Sequence, residues 1–523
     1  MSADVMQLVR QIPVSKNTVV KLLGEPGFSG NSPAIFSGVT DDSRKIQPGF
    51  IFVAIAGFET DGHKYLKSAV DKGAGLLVAE KKIVESDPVL TVEIENAPII
   101  KVNDSRKAVA DLADTFYGHP SREIRIHGIT GTKGKTTTVH LVRDIFAADR
   151  KIAAVMGTIG LELGNKHIDI GLTTPGPVEF QEYLRFCVNE GASDIACEVS
   201  AHSGALKRTS SVFFSSVTYM NLSRDHLDHF SEDGYLDAKL AISRDACEIN
   251  PMVMGIANGR DEHHKKFLDP VSENRRFIFA AYEENEIPDT DAIDLYVLIK
   301  SRSASGLVLN IQTKIWEREI EFPLAGRFNA QNAAAAASIA ATAGIGPDTI
   351  ARGLSEARQV PGRLEKIDHG QDFLIVVDYA HAPQPAEEVL KALREITSGK
   401  LIGVMGAGGN RDRGKRPLIG KVMKSNCDIA VITSDNPRKE NPDAIIEEIL
   451  DGVRNSEGTD KVIVEVDRTT AIREALDNAK PGDTVAILGK GHETYQIFAT
   501  ETIHFDDREV AREWLEDNGY FAE

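Results

Sequence analysis

The chain has 523 residues, room for two to four domains at roughly 100–200 residues each, and its 42% hydrophobic and 26% charged content excludes a disordered chain. With 60 Lys and Arg against 78 Asp and Glu, the net charge of −18 excludes a broad surface for nucleic acid or anionic membrane. It leaves room for a locally basic pocket. Cys187, Cys197, Cys247 and Cys427 stand far apart with no C-x-x-C pair, which fits a reducing compartment better than a disulfide framework or a zinc knuckle. No basic-then-apolar leader opens the sequence, and no apolar run nears the ~20 residues of a membrane span. A cytoplasmic protein is expected, without membrane insertion and without nucleic-acid partners.

In residues 1–121, Phe50–Ala54, Gly75–Val78 and Ile99–Val102 predict strands and Ser105–Tyr117 a helix. Pro120 and Ser121 mark a boundary. Residues 122–359 alternate strands (Ile124–Ile129, Ile152–Met156, Ile195–Val199, Phe213–Met220) with helical stretches, the pattern of a parallel sheet covered on both faces. Glu283–Thr290 reads as a loop, and Ala-rich Asn332–Ala343 as a tightly packed helix. Residues 360–523 carry a second βαβ series. Its strands are Leu374–Val377, Leu401–Met405, Ile429–Thr433, Val462–Val466 and Thr484–Leu488. Its helices are Pro385–Arg394, Asp443–Arg454 and Thr469–Asn478. The fold class is α/β in three domains: a small N-terminal α/β domain, a central P-loop ATPase-type parallel sheet and a C-terminal Rossmann-like domain.

The strongest local signal is Gly128-Ile-Thr-Gly131-Thr132-Lys133-Gly134-Lys135-Thr136-Thr137, between a predicted strand and a predicted helix. Glycines let backbone N–H groups converge on phosphate oxygens, and the helix N-terminus adds positive potential. Lys135 is placed to reach the β/γ-phosphates of ATP and the Thr136 hydroxyl to ligate Mg²⁺. The strict Walker spacing fails, because Ile129 stands where its first glycine belongs. Partners are expected at the carboxyl ends of neighbouring strands. Glu198 ends one of them and is a hard oxygen donor suited to Mg²⁺, or else a strand-end surface acid. Asp225, His226, Asp228 and His229 form either a metal-ligating group or a solvated loop. Gly406–Gly414 fails the dinucleotide pattern G-x-G-x-x-G, since position 411 is Arg.

Together these residues resemble the Mur ligase family of ATP-dependent amide ligases of cell-wall precursor synthesis, over nearly the whole chain. Gly128–Thr136 meets the family's G-x-x-G-T-x-G-K-T. Asp42-Ser43-Arg44 and Asp61-Gly62-His63 resemble the uridine-nucleotide domain, and Thr173-Thr174-Pro175 the segment that holds the muramoyl dipeptide. Glu198-Val-Ser200-Ala-His202 with Arg208 resembles E-V-S-S-H…R, with Ala201 in place of the second Ser. Asn221–Asp228 resembles N-L-x-x-D-H-L-D. Tyr235-Leu-Asp-Ala-Lys239 resembles Y-x-x-A-K, whose lysine is carbamylated in the family; on sequence alone Lys239 reads as an exposed helical lysine. The resemblance thus implies a Mg²⁺ site of Glu198, His226 and carbamyl-Lys239 beside the one at Thr136, with Lys135, Lys239, His226 and Glu198 as the catalytic set. It implies adenosine contacts from Asn332, in Gly326-Arg-Phe-Asn-Ala-Gln-Asn332, and from Arg363, Asp378 and His381.

Asp435-Asn436-Pro437-Arg438 resembles the D-N-P-R motif tied to meso-diaminopimelate. An Arg fork suits that substrate's distal carboxylate, which lysine lacks. Gly489 and Glu493, in Gly489-Lys-Gly-His-Glu493, are placed to meet the distal ammonium, and Arg411 resembles a second carboxylate-binding arginine. Ala407 and Asn410 depart from the family pattern there, and Lys133 departs in the phosphate loop. The implied reaction is ATP-dependent addition of diaminopimelate to UDP-N-acetylmuramoyl-L-alanyl-D-glutamate through an acyl phosphate, by a monomer. The alternatives are lysine or ornithine as the amino acid, or a folylpolyglutamate synthetase-like ligase. Each of three domains would serve one substrate, the third closing over the acyl phosphate.

Overall fold

The computed structural model describes residues 9–24, 32–57, 60–86, 94, 97–223, 231–286 and 292–521. The described chain packs as two compact units. The first is residues 1–280 with 289–295 and 335–350; the second is 281–288, 296–334 and 351–523.

The first unit holds two main sheets, besides the short pair Val14–Ser15 and Ile35–Phe36. In the small one, strands β1 (Gly38–Thr40), β2 (Phe50–Val53), β3 (Leu76–Glu80) and β4 (Ile99–Val102) lie in sequence order, all parallel. Helix α1 (Ser105–Phe116) packs on it; the Asp104 side chain accepts from the Lys107 N–H and caps its start. The larger sheet is built around β5 (Arg125–Thr130), which feeds helix α2 (Lys135–Ala148). Next come β6 (Ala153–Gly157), β7 (Gly160–Leu163), β8 (Lys166–Ile168), helix α3 (Pro177–Asn189), β9 (Asp194–Glu198), helix α4 (Ala201–Ala205), β10 (Ser216–Tyr219), helix α5 (Glu232–Ile249) and β11 (Met254–Asn258). The spatial order is β8-β7-β6-β9-β5-β10-β11. Strands β6, β9, β5, β10 and β11 are parallel. The expectation of a purely parallel sheet needs one correction: β7 and β8 form antiparallel hairpins on the β6 edge. Every residue of β9 and β10 is buried, as central strands covered on both faces require.

Further along the chain come strands missing from the predicted elements: β12 (Leu295–Ser303), β13 (Gly306–Thr313) and β14 (Glu317–Phe322), with β13 and β14 antiparallel. Helix α6 (Phe328–Thr342) follows, with Ala330, Ala333–Ala337 and Ala340 fully buried, in keeping with its alanine content. The remaining elements are β15 (Glu365–Ile367), β16 (Leu374–Asp378), α7 (Pro383–Arg394), β17 (Leu401–Met405), α8 (Lys415–Asn426), β18 (Ile429–Ile432), α9 (Pro442–Arg454), β19 (Val462–Val464), α10 (Arg468–Asp477), β20 (Thr484–Leu488) and α11 (Asp507–Asp517). The sheet order is β15-β16-β20-β17-β18-β19, parallel except for edge strand β15. No helix among the described residues is long and apolar enough to cross a membrane.

Candidate active site

In the first unit the chain order reverses at β5, whose neighbours β9 and β10 both come later in sequence. Such a switch point opens a crevice at the carboxyl ends of the strands. Register puts Glu198 opposite Ile129 on one side of β5, and Tyr219 opposite Thr130 on the other. The phosphate loop therefore leaves the sheet between the ends of β9 and β10.

Gly131 (φ 154°) and Gly134 (φ 86°) take backbone angles that L side chains rarely adopt, and they turn the loop into α2. Asn221, just after β10, clamps the loop: its Oδ1 accepts from the Lys133 N–H at 2.9 Å and its Nδ2 donates to the Lys133 carbonyl at 3.2 Å. The Thr132 N–H donates to the Asn221 carbonyl at 3.0 Å. Lys135 Nζ donates to the carbonyls of Gly131 (2.8 Å) and Thr132 (3.2 Å). Thr136 and Thr137 are buried in the first turn of α2.

Glu198 is buried, and its oxygens accept from the Thr158 N–H (2.8 Å) and hydroxyl (3.2 Å). Thr158 Oγ1 also lies 3.1 Å from Thr173 Oγ1. The Thr174 hydroxyl donates to the Glu198 carbonyl at 2.9 Å and accepts from the Ser200 N–H at 3.0 Å. Arg208 Nη1 donates to the Thr174 carbonyl at 2.7 Å. Burial lowers the Arg208 pKa, against the pull of Asp41 and Glu179. Asp41 itself is pushed up to about 6 by burial and by Glu179. Glu198, Thr173, Thr174, Ser200 and Arg208 are thus one connected network. Lys239 is 1% exposed, its ammonium 4.4 Å from the Tyr235 ring centre. The exposed helical lysine of the bare sequence reading is corrected: α5 buries it against α4. His226, with Asp225, Asp228 and His229, lies outside the described residues.

Do these residues suit Mg²⁺? The Thr136 hydroxyl and the Glu198 carboxylate are hard oxygen donors of the class it takes. A buried lysine such as Lys239 becomes an oxygen donor once carbamylated. No group of three or more His, Cys, Asp or Glu that could hold a metal is found among the described residues. The donor chemistry fits the ion, with further ligands required.

At the N-terminal candidates, Asp42 and Arg44 pair at 2.8 Å around Ser43, whose carbonyl accepts from Lys72 at 2.6 Å. His63 is buried with both ring nitrogens engaged: Nδ1 on Asp61 at 2.7 Å, and Nε2 accepting the Glu80 N–H at 3.0 Å. That ring braces Asp61 against the end of β3.

In the second unit, Asn332 Nδ2 donates to Asn329 Oδ1 at 2.8 Å. Asp378 accepts the Leu364 N–H (2.7 Å) and the Ala380 N–H (2.8 Å); burial raises its pKa while Arg363 opposes the rise. The Arg363 guanidinium sits 5.0 Å from the Tyr379 ring centre, and His381 packs edge-on to the same ring. Arg363, Asp378 and His381 therefore share one corner at the end of β16.

The loop after β18 and the loop after β20 meet. Asn436 Nδ2 donates to Glu493 at 3.0 Å. Lys490, fully buried, donates to Asn436 Oδ1 and Glu493 Oε2, both at 3.3 Å, and lies 3.8 Å from Asp435. Pro437 is buried between Asn436 and Arg438. Arg438 holds φ 53°, a strained value for a non-glycine residue, and donates to the Gly409 carbonyl at 3.0 Å. Gly489 brings the second loop to within 3.4 Å of the Asp435 carboxylate, measured from where a side chain would start. Arg411 is exposed on the Gly408–Asp412 segment. Sequence reasoning missed Thr158, the clamping role of Asn221, and Lys490. All three follow strand ends, and that position was the signal that could have found them.

A glycine-rich loop at a switch point with a carboxylate beside it, and a second cluster of charged side chains where two loops meet, fit an α/β enzyme that activates one substrate with a nucleoside triphosphate. Comparison with known proteins narrows the class. The models "Mur ligase family, catalytic domain", "Mur ligase middle domain" and "Mur ligase, glutamate ligase domain" match residues 35–117, 129–340 and 362–491. A UDP-N-acetylmuramoyl-L-alanyl-D-glutamate–2,6-diaminopimelate ligase of Clostridium botulinum is 37% identical over 504 residues, 96% of this chain and 99% of the relative. One of Aquifex aeolicus is 38% identical over 92% and 94% of the two chains. A solved structure of a ligase with that name superposes with a TM-score of 0.68 at 27% identity, covering 97% of this chain and 99% of the other. The chain belongs to the Mur ligase family, and it is an ATP-dependent amide ligase.

Proposed function

We propose that the protein adds meso-diaminopimelate to UDP-N-acetylmuramoyl-L-alanyl-D-glutamate, using ATP, in peptidoglycan precursor synthesis. The observation that carries this reading is the near full-length likeness, at 37–38% identity, to relatives that bear this activity in their names. The Asp435–Arg438 loop, hydrogen-bonded to Glu493, adds chemical support: an Arg for a distal carboxylate and a Glu for a distal ammonium. In this reading residues 1–121 take the UDP-muramoyl end, 122–359 take ATP, and 360–523 take the amino acid.

The D-glutamyl carboxylate attacks the γ-phosphate of ATP, giving an acyl phosphate and ADP. The amine of diaminopimelate then attacks the acyl carbon, phosphate leaves, and an amide forms. The phosphate-loop N–H groups and Lys135 hold the transferring phosphoryl group in line and offset its charge. Thr173, Thr174, Ser200 and Arg208 hold the acceptor carboxylate, Ser43, Asp61 and His63 the uridine nucleotide. Asn332, Arg363, Asp378 and His381 close on the nucleoside. Arg411, Arg438, Asn436 and Glu493 orient the diamino acid so that only one amine faces the acyl carbon. Thr136, Glu198, His226 and a carbamylated Lys239 would hold Mg²⁺, which supplies positive charge beside the phosphate oxygens.

Acyl-phosphate formation is testable without the amino acid. Enzyme, ATP and the UDP-muramoyl dipeptide are treated with borohydride, which reduces an acyl phosphate to an alcohol. An ATP-dependent alcohol at the D-glutamyl position is expected; its absence contradicts the two-step route.

A further inference from the structure

The two loops of the amino-acid pocket leave strands that do not touch. Strand β18 precedes Ser434 and Asp435–Arg438, and β20 ends at Leu488, just before Gly489–Glu493. Strand β17 lies between them, so no sheet hydrogen bond sets the spacing of their ends. One side chain spans that gap from beneath. Arg468, the first residue of α10, donates through Nη1 to the Ser434 carbonyl at 3.2 Å and through Nη2 to the Leu488 carbonyl at 3.1 Å. Asp507, in the first turn of α11, takes the other side of the same guanidinium: Nε and Nη2 each at 2.7 Å. Both side chains are 0% exposed.

Stability alone is a poor reason for this pair. Taking both charges out of water costs about what their attraction returns, and well-packed apolar residues often serve as well. What an apolar pair cannot supply is a rigid planar fork that donates to two carbonyls at once. Those carbonyls lie one residue before Asp435 and one before Gly489.

We propose that Arg468, fixed in place by Asp507, is a positioning residue that sets the spacing between the Asp435–Arg438 and Gly489–Glu493 loops, and through it the selection of the diamino acid. The proposal rests on the diaminopimelate reading above. Arg438 and Glu493 address opposite charges on one distal amino-acid group, so their separation is the quantity that must be held. Lys490 pins the side chains of the two loops together; Arg468 pins their backbones.

Steady-state kinetics of the full-length enzyme test this, with meso-diaminopimelate, L-lysine and ATP varied in turn. Wild-type turnover with diaminopimelate is measured first; its failure overturns the ligase reading itself, before any variant is made. Arg468→Lys keeps a cation for Asp507 but cannot reach both carbonyls. The paired variant Arg468→Met/Asp507→Leu removes both charges together, so no buried ion is left unpaired. In each, the KM for diaminopimelate is expected to rise about tenfold or more, while the KM for ATP stays within about twofold and the preference over lysine shrinks. A merely structural role would lower the melting temperature and the active fraction, and so Vmax, without moving the KM for the amino acid. A KM for diaminopimelate within twofold of wild type in any variant that folds overturns the proposal. If neither variant folds, the pair serves the fold and the proposal is equally overturned.

Discussion

Glu198 can act only if space beside it is kept clear. A side chain begun at Gly157 would stand 2.3 Å from Glu198 Oε1 and 2.8 Å from its Cδ, so Gly157→Ala must push the carboxylate aside. Misplacement of a catalytic group by an ångström costs roughly 10²-fold in rate, and a fall of about that size in kcat is expected. Unchanged kcat would remove Glu198 from the machinery. Lys239→Ala is expected to abolish turnover, with added bicarbonate giving no recovery; circular dichroism checks that α5 still forms. Near-normal activity would refute the carbamate role. At this scale the sequence was most legible where chemistry is local. The turn from β5 into α2 over Gly131 to Thr137 could be read from its glycines and its Gly-Lys-Thr, although the strict Walker spacing fails. Burial could not: Lys239 reads as a surface lysine until α4 packs over it. Arg468 carried no signal, because its partner stands 39 positions away.

Elements were legible where hydrophobic runs are continuous. Strands Leu401–Met405 and Thr484–Leu488 fall where they were predicted, since parallel strands buried on both faces read as near-continuous apolar runs; edge strand Ile99–Val102 does too, with only Ile100 and Val102 buried. The antiparallel hairpins at β7–β8 and β13–β14 did not stand out. Their strands alternate apolar and charged residues, as in Glu317-Arg-Glu-Ile-Glu-Phe322, and one face stays wet. The expected loop at Glu283–Thr290 begins at the end of a strand, Arg276–Glu283, and residues 287–290 lie outside those described. Strand β7, one in from the sheet edge, is tied to α2 through Glu162. His140 stands 3.5 Å from it and Arg143 2.7 Å, and together they hold its carboxyl down to about 2. A folded pKa below the unfolded value near 4.5 contributes stability that is present above that value and lost as pH falls toward about 2. Partial exposure limits the contribution to roughly 2 kcal/mol. Urea midpoints of wild type and Glu162→Gln should differ at pH 7 and converge near pH 2. A constant gap across that range would contradict the assignment.

At the scale of the whole molecule, a net charge of −18 coexists with substrates that all carry carboxylates or phosphates. The reconciliation is local. Lys135, Arg208, Arg363, Arg411 and Arg438 concentrate positive charge at the strand ends while the acidic excess is spread elsewhere. Net charge therefore speaks to bulk surfaces and not to pockets. The order of the three matched segments was legible in the sequence because each carries its own motif. On the proposal above, the choice of diamino acid also depends on the spacing of two loops far apart in sequence, which the Asp435–Arg438 motif alone does not show.

The competition between amino acids tests the central claim most directly. ADP release is followed with the UDP-muramoyl dipeptide and ATP, and kcat/KM is compared for meso-diaminopimelate, L-lysine and L-ornithine. The account predicts a preference for diaminopimelate of about 10²-fold or more, because lysine and ornithine leave Arg438 without its carboxylate. Equal or greater kcat/KM for lysine, or no ADP release with any of the three, would contradict it.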